Sequence, residues 1–88
     1  MKKIWFEKAW EKLIYWQAKD KKTFNRIIVL LKDIERGSPF EGLGKPEALK
    51  GILSGCWSRR IDEKNRLVYR VKGEFLEILQ CGSHCNDK

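Results

Sequence analysis

The chain has 88 residues, enough for one hydrophobic core and too few for two. Nineteen Lys and Arg against twelve Asp and Glu leave a net charge of +7, and 42% of the residues are apolar. That apolar share excludes a disordered tail, and no apolar run approaches the roughly 18 residues of a membrane span.

Lys2 and Lys3 lead into Ile4, Trp5 and Phe6 and then Glu7, which leaves no signal-peptide apolar region. A soluble, cytosolic (cytoplasmic) domain spanning 1–88 is expected, with residues 82–88 as a C-terminal tail. Lys3–Phe6 suits an edge strand. From Glu7 to Lys19, Ala9, Trp10, Leu13, Ile14 and Gln17 recur at helical spacing. Asp20 is a plausible N-cap for a second helix, along which Phe24, Ile27, Ile28, Leu31 and Ile34 form one apolar stripe. Its other face carries Lys22, Asn25, Arg26, Lys32 and Glu35, and Gly37 followed by Pro39 ends it. Two tightly joined amphipathic helices make a helical hairpin. The four Trp, four Phe and two Tyr predict a core anchored by large aromatics.

Residues 37–55 hold five glycines and both prolines, and a loop this long in a small domain is either disordered or functional. Within it, Pro46 and Gly51 bracket one expected helical turn, which would put Glu47 and Lys50 on a shared face. The last third reads as three strands, Cys56–Ile61, Arg66–Val71 and Glu74–Cys81, with turns at 62–65 and 72–73. Burying Trp57 and Ile61 beside Leu67, Tyr69 and Val71, and then Leu76 and Ile78, forces Arg60 and Arg66 together onto the opposite face. Like charges repel there, so an anion is expected between them. The predicted architecture is α+β, an N-terminal strand and a helical hairpin packed on a small antiparallel sheet.

Three cysteines are an odd count and cannot complete a disulfide framework. A zinc site would need Cys81, His84 and Cys85 with Cys56 as fourth ligand, at a spacing that matches no zinc motif, so neither a metal nor any other cofactor is expected. A pI near 9.5 points to a polyanionic partner. One carboxylate, one imidazole and several cations fit metal-independent RNA cleavage, in which the 2′-hydroxyl attacks its own phosphate in line. That reaction needs a base, an acid and cations for the charge building on phosphorus. Glutamate can serve as base, histidine as acid near neutral pH, and arginine as a fork for phosphate oxygens.

Particular runs carry a further likeness. Ile4-Trp5, Tyr15-Trp16-Gln17 with Asp20-Lys21, PFEGLGKPEALK at 39–50, LSGCWSRRI at 53–61, RLVY at 66–69 and the Cys81-Gly82-Ser83-His84 ending span nearly the whole chain. In these runs the sequence resembles YoeB-type toxins, messenger-RNA endonucleases of the RelE/ParE superfamily of bacterial toxin–antitoxin pairs. The resemblance implies a small α+β toxin domain with Glu47 as general base, Arg66 stabilising the transition state and His84 as general acid. It implies phosphate contacts from Lys50 and Arg60. It also implies cleavage of messenger RNA in the A site of the 70S ribosome, a cognate antitoxin with an acidic C-terminal segment, and a tendency to form homodimers. The family typically ends His-Tyr, whereas Cys85 follows His84 here. Cys85 therefore stands in the substrate-binding position, and a thiol cannot stack on a base. The sequence thus leaves two readings, a working endoribonuclease and a catalytically weakened homologue that binds antitoxin or ribosome.

Overall fold

A computed structural model describes residues 1–83, the side chain of Ser83 excepted. In chain order the elements are β1 (Lys2–Trp5), α1 (Glu7–Lys19), α2 (Lys21–Arg36), β2 (Glu47–Ala48), a 3-10 turn (Gly51–Leu53), β3 (Trp57–Arg60), β4 (Arg66–Lys72) and β5 (Phe75–Ser83). The five strands form one sheet in the order β1-β5-β4-β3-β2. The meander β3-β4-β5 is antiparallel as expected, while β1 joins its edge parallel to β5 and makes the sheet mixed. Parallel pairing needs a long connection, and two helices and three further strands lie between β1 and β5.

Both helices pack on one face of the sheet. Asp20 caps α2 as the sequence predicts, accepting from Thr23 N at 3.2 Å and from Thr23 Oγ1 at 2.8 Å. Ala9 and Leu13 of α1 and Ile27, Leu30, Leu31 and Ile34 of α2 meet Leu67, Tyr69, Leu76, Ile78 and Cys81 of the sheet. The core is mainly aliphatic. Tyr69 is fully buried, Trp5, Trp16, Phe24 and Trp57 flank the core, and Trp10 and Ile14 are 48% and 46% exposed. The inward face of α1 is thus set by Ala9, Leu13 and Trp16, leaving Trp10 and Ile14 on its outer side.

The helical turn expected at Pro46–Gly51 does not form. Glu47 and Ala48 are instead a two-residue strand paired antiparallel with Ser58 and Trp57, and Leu49 N donates to Cys56 O at 2.9 Å. These backbone groups find partners across β3, which removes the need for a helix. Gly51, expected as a helix stop, opens the 3-10 turn with φ +70°. The strand predicted to end at Cys81 continues through Gly82 to Ser83, so the first two residues of the expected tail belong to β5.

Candidate active site on the open sheet face

Strand alternation sorts the sheet residues into two faces. Trp57, Leu67, Tyr69 and Ile78 look toward the helices. Ser58, Arg60, Arg66, Val68 and Gln80 share the opposite face, and β2 adds Glu47 beside Ser58. The predicted partition of the meander holds, with Arg60 directly across from Arg66. On that face Arg66 Nη1 lies 3.7 Å from Glu47 Oε1. This is an ion-pair distance, longer than a hydrogen bond. Glu47 is 67% exposed at its side chain and Arg66 30%, so the carboxylate is open to an incoming group while the guanidinium is partly walled in.

The structure therefore brings Glu47, Arg60 and Arg66 to one place. The helical face expected to join Lys50 to Glu47 is absent, because the backbone at Lys50 is extended, with φ −123° and ψ 176°. His84 and Cys85 lie outside the described residues. Ser83, the last described residue, pairs with Arg66.

The loop that delivers Glu47 is built around a side chain that the sequence reading passed over. Arg59 is fully buried between Trp57 and Ile61 on the helix-facing side of β3. Its Nη1 donates to Asp33 Oδ2 at 2.5 Å and to Leu43 O at 3.1 Å, and its Nη2 donates to Ser38 O and Glu41 O, both at 2.8 Å. Its Nε donates to Tyr69 Oη at 3.1 Å, and that hydroxyl donates to Pro39 O at 2.5 Å. Five guanidinium N–H groups thus meet five acceptors, the condition under which a buried charge is tolerated. The Arg59 guanidinium and the Leu43 amide hold the Asp33 carboxyl below its ordinary value, and burial pushes the Tyr69 phenol up. The alternation Trp57-x-Arg59-x-Ile61 was the available signal, since it places a cation in the core where a carboxylate must meet it.

From this clamp the chain reaches Glu47 through Gly44, whose carbonyl accepts from Arg60 N at 2.7 Å, and Lys45, held at φ +51°. That hydrogen bond ties the loop to β3 just ahead of β2, which enters the sheet at Glu47 opposite Ser58. At the other side, Trp16 Nε1 donates to Cys81 O at 2.9 Å and its indole covers Gly82. A Cβ on Gly82 would lie 2.4 Å from Trp16 Nε1, so glycine is required at this crossing. Cys81 donates its thiol to Ala9 O, and burial pushes its pKa up to about 12, which keeps it protonated and unreactive at neutral pH. Gln80 Oε1 is buried on the face of the site with no hydrogen-bond partner among the described residues.

Residues 5–85 match the family described as "YoeB-like toxin of bacterial type II toxin-antitoxin system". The chain belongs to the YoeB-like toxins. It is 52% identical to toxin YoeB of Escherichia coli K12 over 84 residues, covering 96% of this chain and 99% of that protein. Two Staphylococcus aureus structures superpose on this YoeB-like toxin over 96% of its length and 97% of theirs. One is a YoeB dimer, with TM-score 0.89 and 42% identity, and the other a YoeB–YefM complex, with TM-score 0.90 and 40% identity. The mixed sheet under two helices is therefore the family's architecture.

Proposed function

We propose that this toxin is a metal-independent endoribonuclease that cuts messenger RNA in the ribosomal A site and so arrests translation. The observation that carries the reading is the Glu47–Arg66 pair at 3.7 Å on the open sheet face, with Arg60 across the strand. In this mechanism a substrate phosphate draws Arg66 away from Glu47. The freed carboxylate then takes the 2′-hydroxyl proton, and the attacking oxygen displaces the 5′-oxygen to leave a 2′,3′-cyclic phosphate. Arg66 and Arg60 stabilise the charge on the non-bridging oxygens, where preorganised cations act most strongly. His84 protonates the leaving oxygen, and Lys50 adds a phosphate contact. The partners in this reading are the ribosome with its message, an antitoxin with an acidic C-terminal segment, and a second copy of the chain. The cytoplasm is where these meet.

Cys85 favours a second reading, a toxin of weakened catalysis that acts by binding. The two part on one experiment. Purified protein is added to ribosomes carrying a defined message and 5′ ends are mapped, beside Glu47→Gln and His84→Ala. The nuclease reading expects A-site cuts by the parent and a loss of at least ~100-fold in both variants, the usual scale of general acid–base catalysis. The exposed Glu47–Arg66 pair contributes little stability, so Glu47→Gln should fold normally and report on chemistry. Ribosome binding without cutting by the parent would establish the weakened homologue, and Cys85→Tyr should then raise activity.

A further inference from the structure

β1 covers β5 only as far as Ile78, where Phe6 N donates to Ile78 O and the chain turns into α1. From Leu79 onward β5 is an edge of the sheet, and α1 runs beside it, tied by the hydrogen bond from Trp16 Nε1 to Cys81 O. Between them lies a groove of about 410 Å³, lined by Lys8, Glu11, Lys12 and Tyr15 of α1 and by Leu79 and Gln80 of β5. The four helix residues recur at three- and four-residue spacing, on the flank of α1 away from Trp10 and Ile14. Among the described residues neither lysine has a carboxylate within 4.0 Å. Lys12 Nζ is held instead over the rings of Tyr15 and Trp16, 4.7 and 5.1 Å from their centroids. Tyr15 is 47% exposed, and Gln80 carries the buried, unmatched amide oxygen. Such an acceptor is a standing cost, removed when the amide turns into the groove and meets a donor.

The groove adjoins the candidate active site. Gln80 pairs with Val68, two residues along β4 from Arg66 and on the same face. Strands lie about 4.8 Å apart, so the groove, one place beyond β5, is about 10 Å to the side of Arg66. An RNA strand held at Arg66 has its neighbouring nucleotides within that reach. An exposed ring, two ammonium groups and an amide suit single-stranded nucleic acid, whose bases stack on aromatic rings and whose phosphates attract cations. An extended peptide needs pockets for alternate side chains, and Leu79 is the one aliphatic residue in the lining. Glu11 offsets one of the two lysine charges, which fits a single phosphate better than a broad polyanionic surface. We infer that this groove holds a nucleotide of the message beside the cleaved bond, its base stacked on Tyr15 and read by Gln80, its phosphate met by Lys8 and Lys12. A glutamine amide matches adenine, accepting from N6 and donating to N7, so the subsite favours adenine over the other bases. The inference rests on the endoribonuclease reading and adds to it the residues that choose among messages.

The test programs ribosomes with messages that differ only in the nucleotide on either side of the A-site cut. Values of kcat/KM are compared by 5′-end mapping, with thermal melting to confirm that each variant folds. The parent should prefer adenine at one of these positions by about 10-fold, and Gln80→Leu should narrow that preference to within about twofold. Tyr15→Leu should lower kcat/KM at least ~5-fold on every message, the scale of one lost stack, and Tyr15→Phe, which keeps the ring, should match the parent. Binding is read apart from cutting in the Glu47→Gln background. There, 2-aminopurine placed beside the cut should be quenched by the toxin and stay bright with the added Tyr15→Leu change. Tyr15→Leu that keeps both rate and quenching, or Gln80→Leu that keeps the adenine preference, would overturn the inference. So would variants that cut as the parent does but lose antitoxin affinity, which would give the groove to the acidic segment. A parent that cuts equally well whichever base flanks the bond would overturn this inference alone. A parent that quenches 2-aminopurine without cutting would keep the groove as a nucleotide site and remove the nuclease reading. A parent that neither cuts nor binds programmed ribosomes would overturn both.

Discussion

Each N–H of Arg59 has its own acceptor, so a lysine at this position keeps the charge but has only three donors for five acceptors. Arg59→Lys is expected to lower the melting temperature. Arg59→Ala should cost about 3–5 kcal/mol in denaturant unfolding, the scale for breaking a buried pair from one side. The same network sets an acid limit. The Asp33 carboxyl lies below its ordinary 3.8 when folded and returns to it on unfolding, so its stabilisation is present above about pH 4 and is lost as pH falls through the folded value. Asp33→Asn should flatten the acid side of a stability–pH curve measured by urea midpoints. Arg60 and Arg66 were legible because strand alternation put both on one face, whereas Glu47 came from the motif, on a helical turn that does not form. For Arg59 the same alternation signals burial, but its carboxylate lies 26 residues away on a helix, so no local pattern names the partner.

At the scale of elements, the helices and the meander were legible from apolar period and turn residues, since each is encoded within its own segment. β2 was not. Its two residues have no strand signature and exist because β3 offers them a ladder, a non-local cause that the Pro46–Gly51 bracket concealed. The loop before β2 has its own requirement. Gly42 sits at φ +121° with the position of a Cβ only 2.2 Å from Asp33 Oδ2, whereas Gly55, at φ +94°, has open space there. Both alanine substitutions incur backbone strain, and only Gly42→Ala also drives a methyl into the Asp33–Arg59 contact. Gly42→Ala should therefore destabilise by roughly 1–3 kcal/mol more than Gly55→Ala, as read by thermal melts of the pair side by side. Equal losses would mean that the loop can move off Asp33 without cost.

The molecule presents three surfaces of different chemistry. The open sheet face holds the Glu47–Arg66 pair, the outer side of α2 is cationic, and the outer side of α1 is apolar. Phe6 at the N-cap of α1 and Trp10 and Ile14 within it follow one another at four-residue spacing, exposed by 40%, 48% and 46%, and Trp5 meets the Trp10 ring edge-on at 5.7 Å. A row of large apolar side chains this exposed has a cost in water that burial against a like surface removes, and symmetric self-pairing is the commonest way to do so. We expect the protein to sediment as a dimer of its 10.4 kDa chain at micromolar concentration, and Trp10→Ser to shift it toward monomer in analytical ultracentrifugation. Trp10 contributes nothing to the Glu47–Arg66 geometry, so under the proposed function the monomeric variant should cut messages as the parent does at temperatures where it remains folded. If Trp10→Ser stays dimeric, the pairing surface is elsewhere. If the parent is monomeric and Trp10→Ser instead weakens antitoxin binding, the apolar side of α1 belongs to the antitoxin.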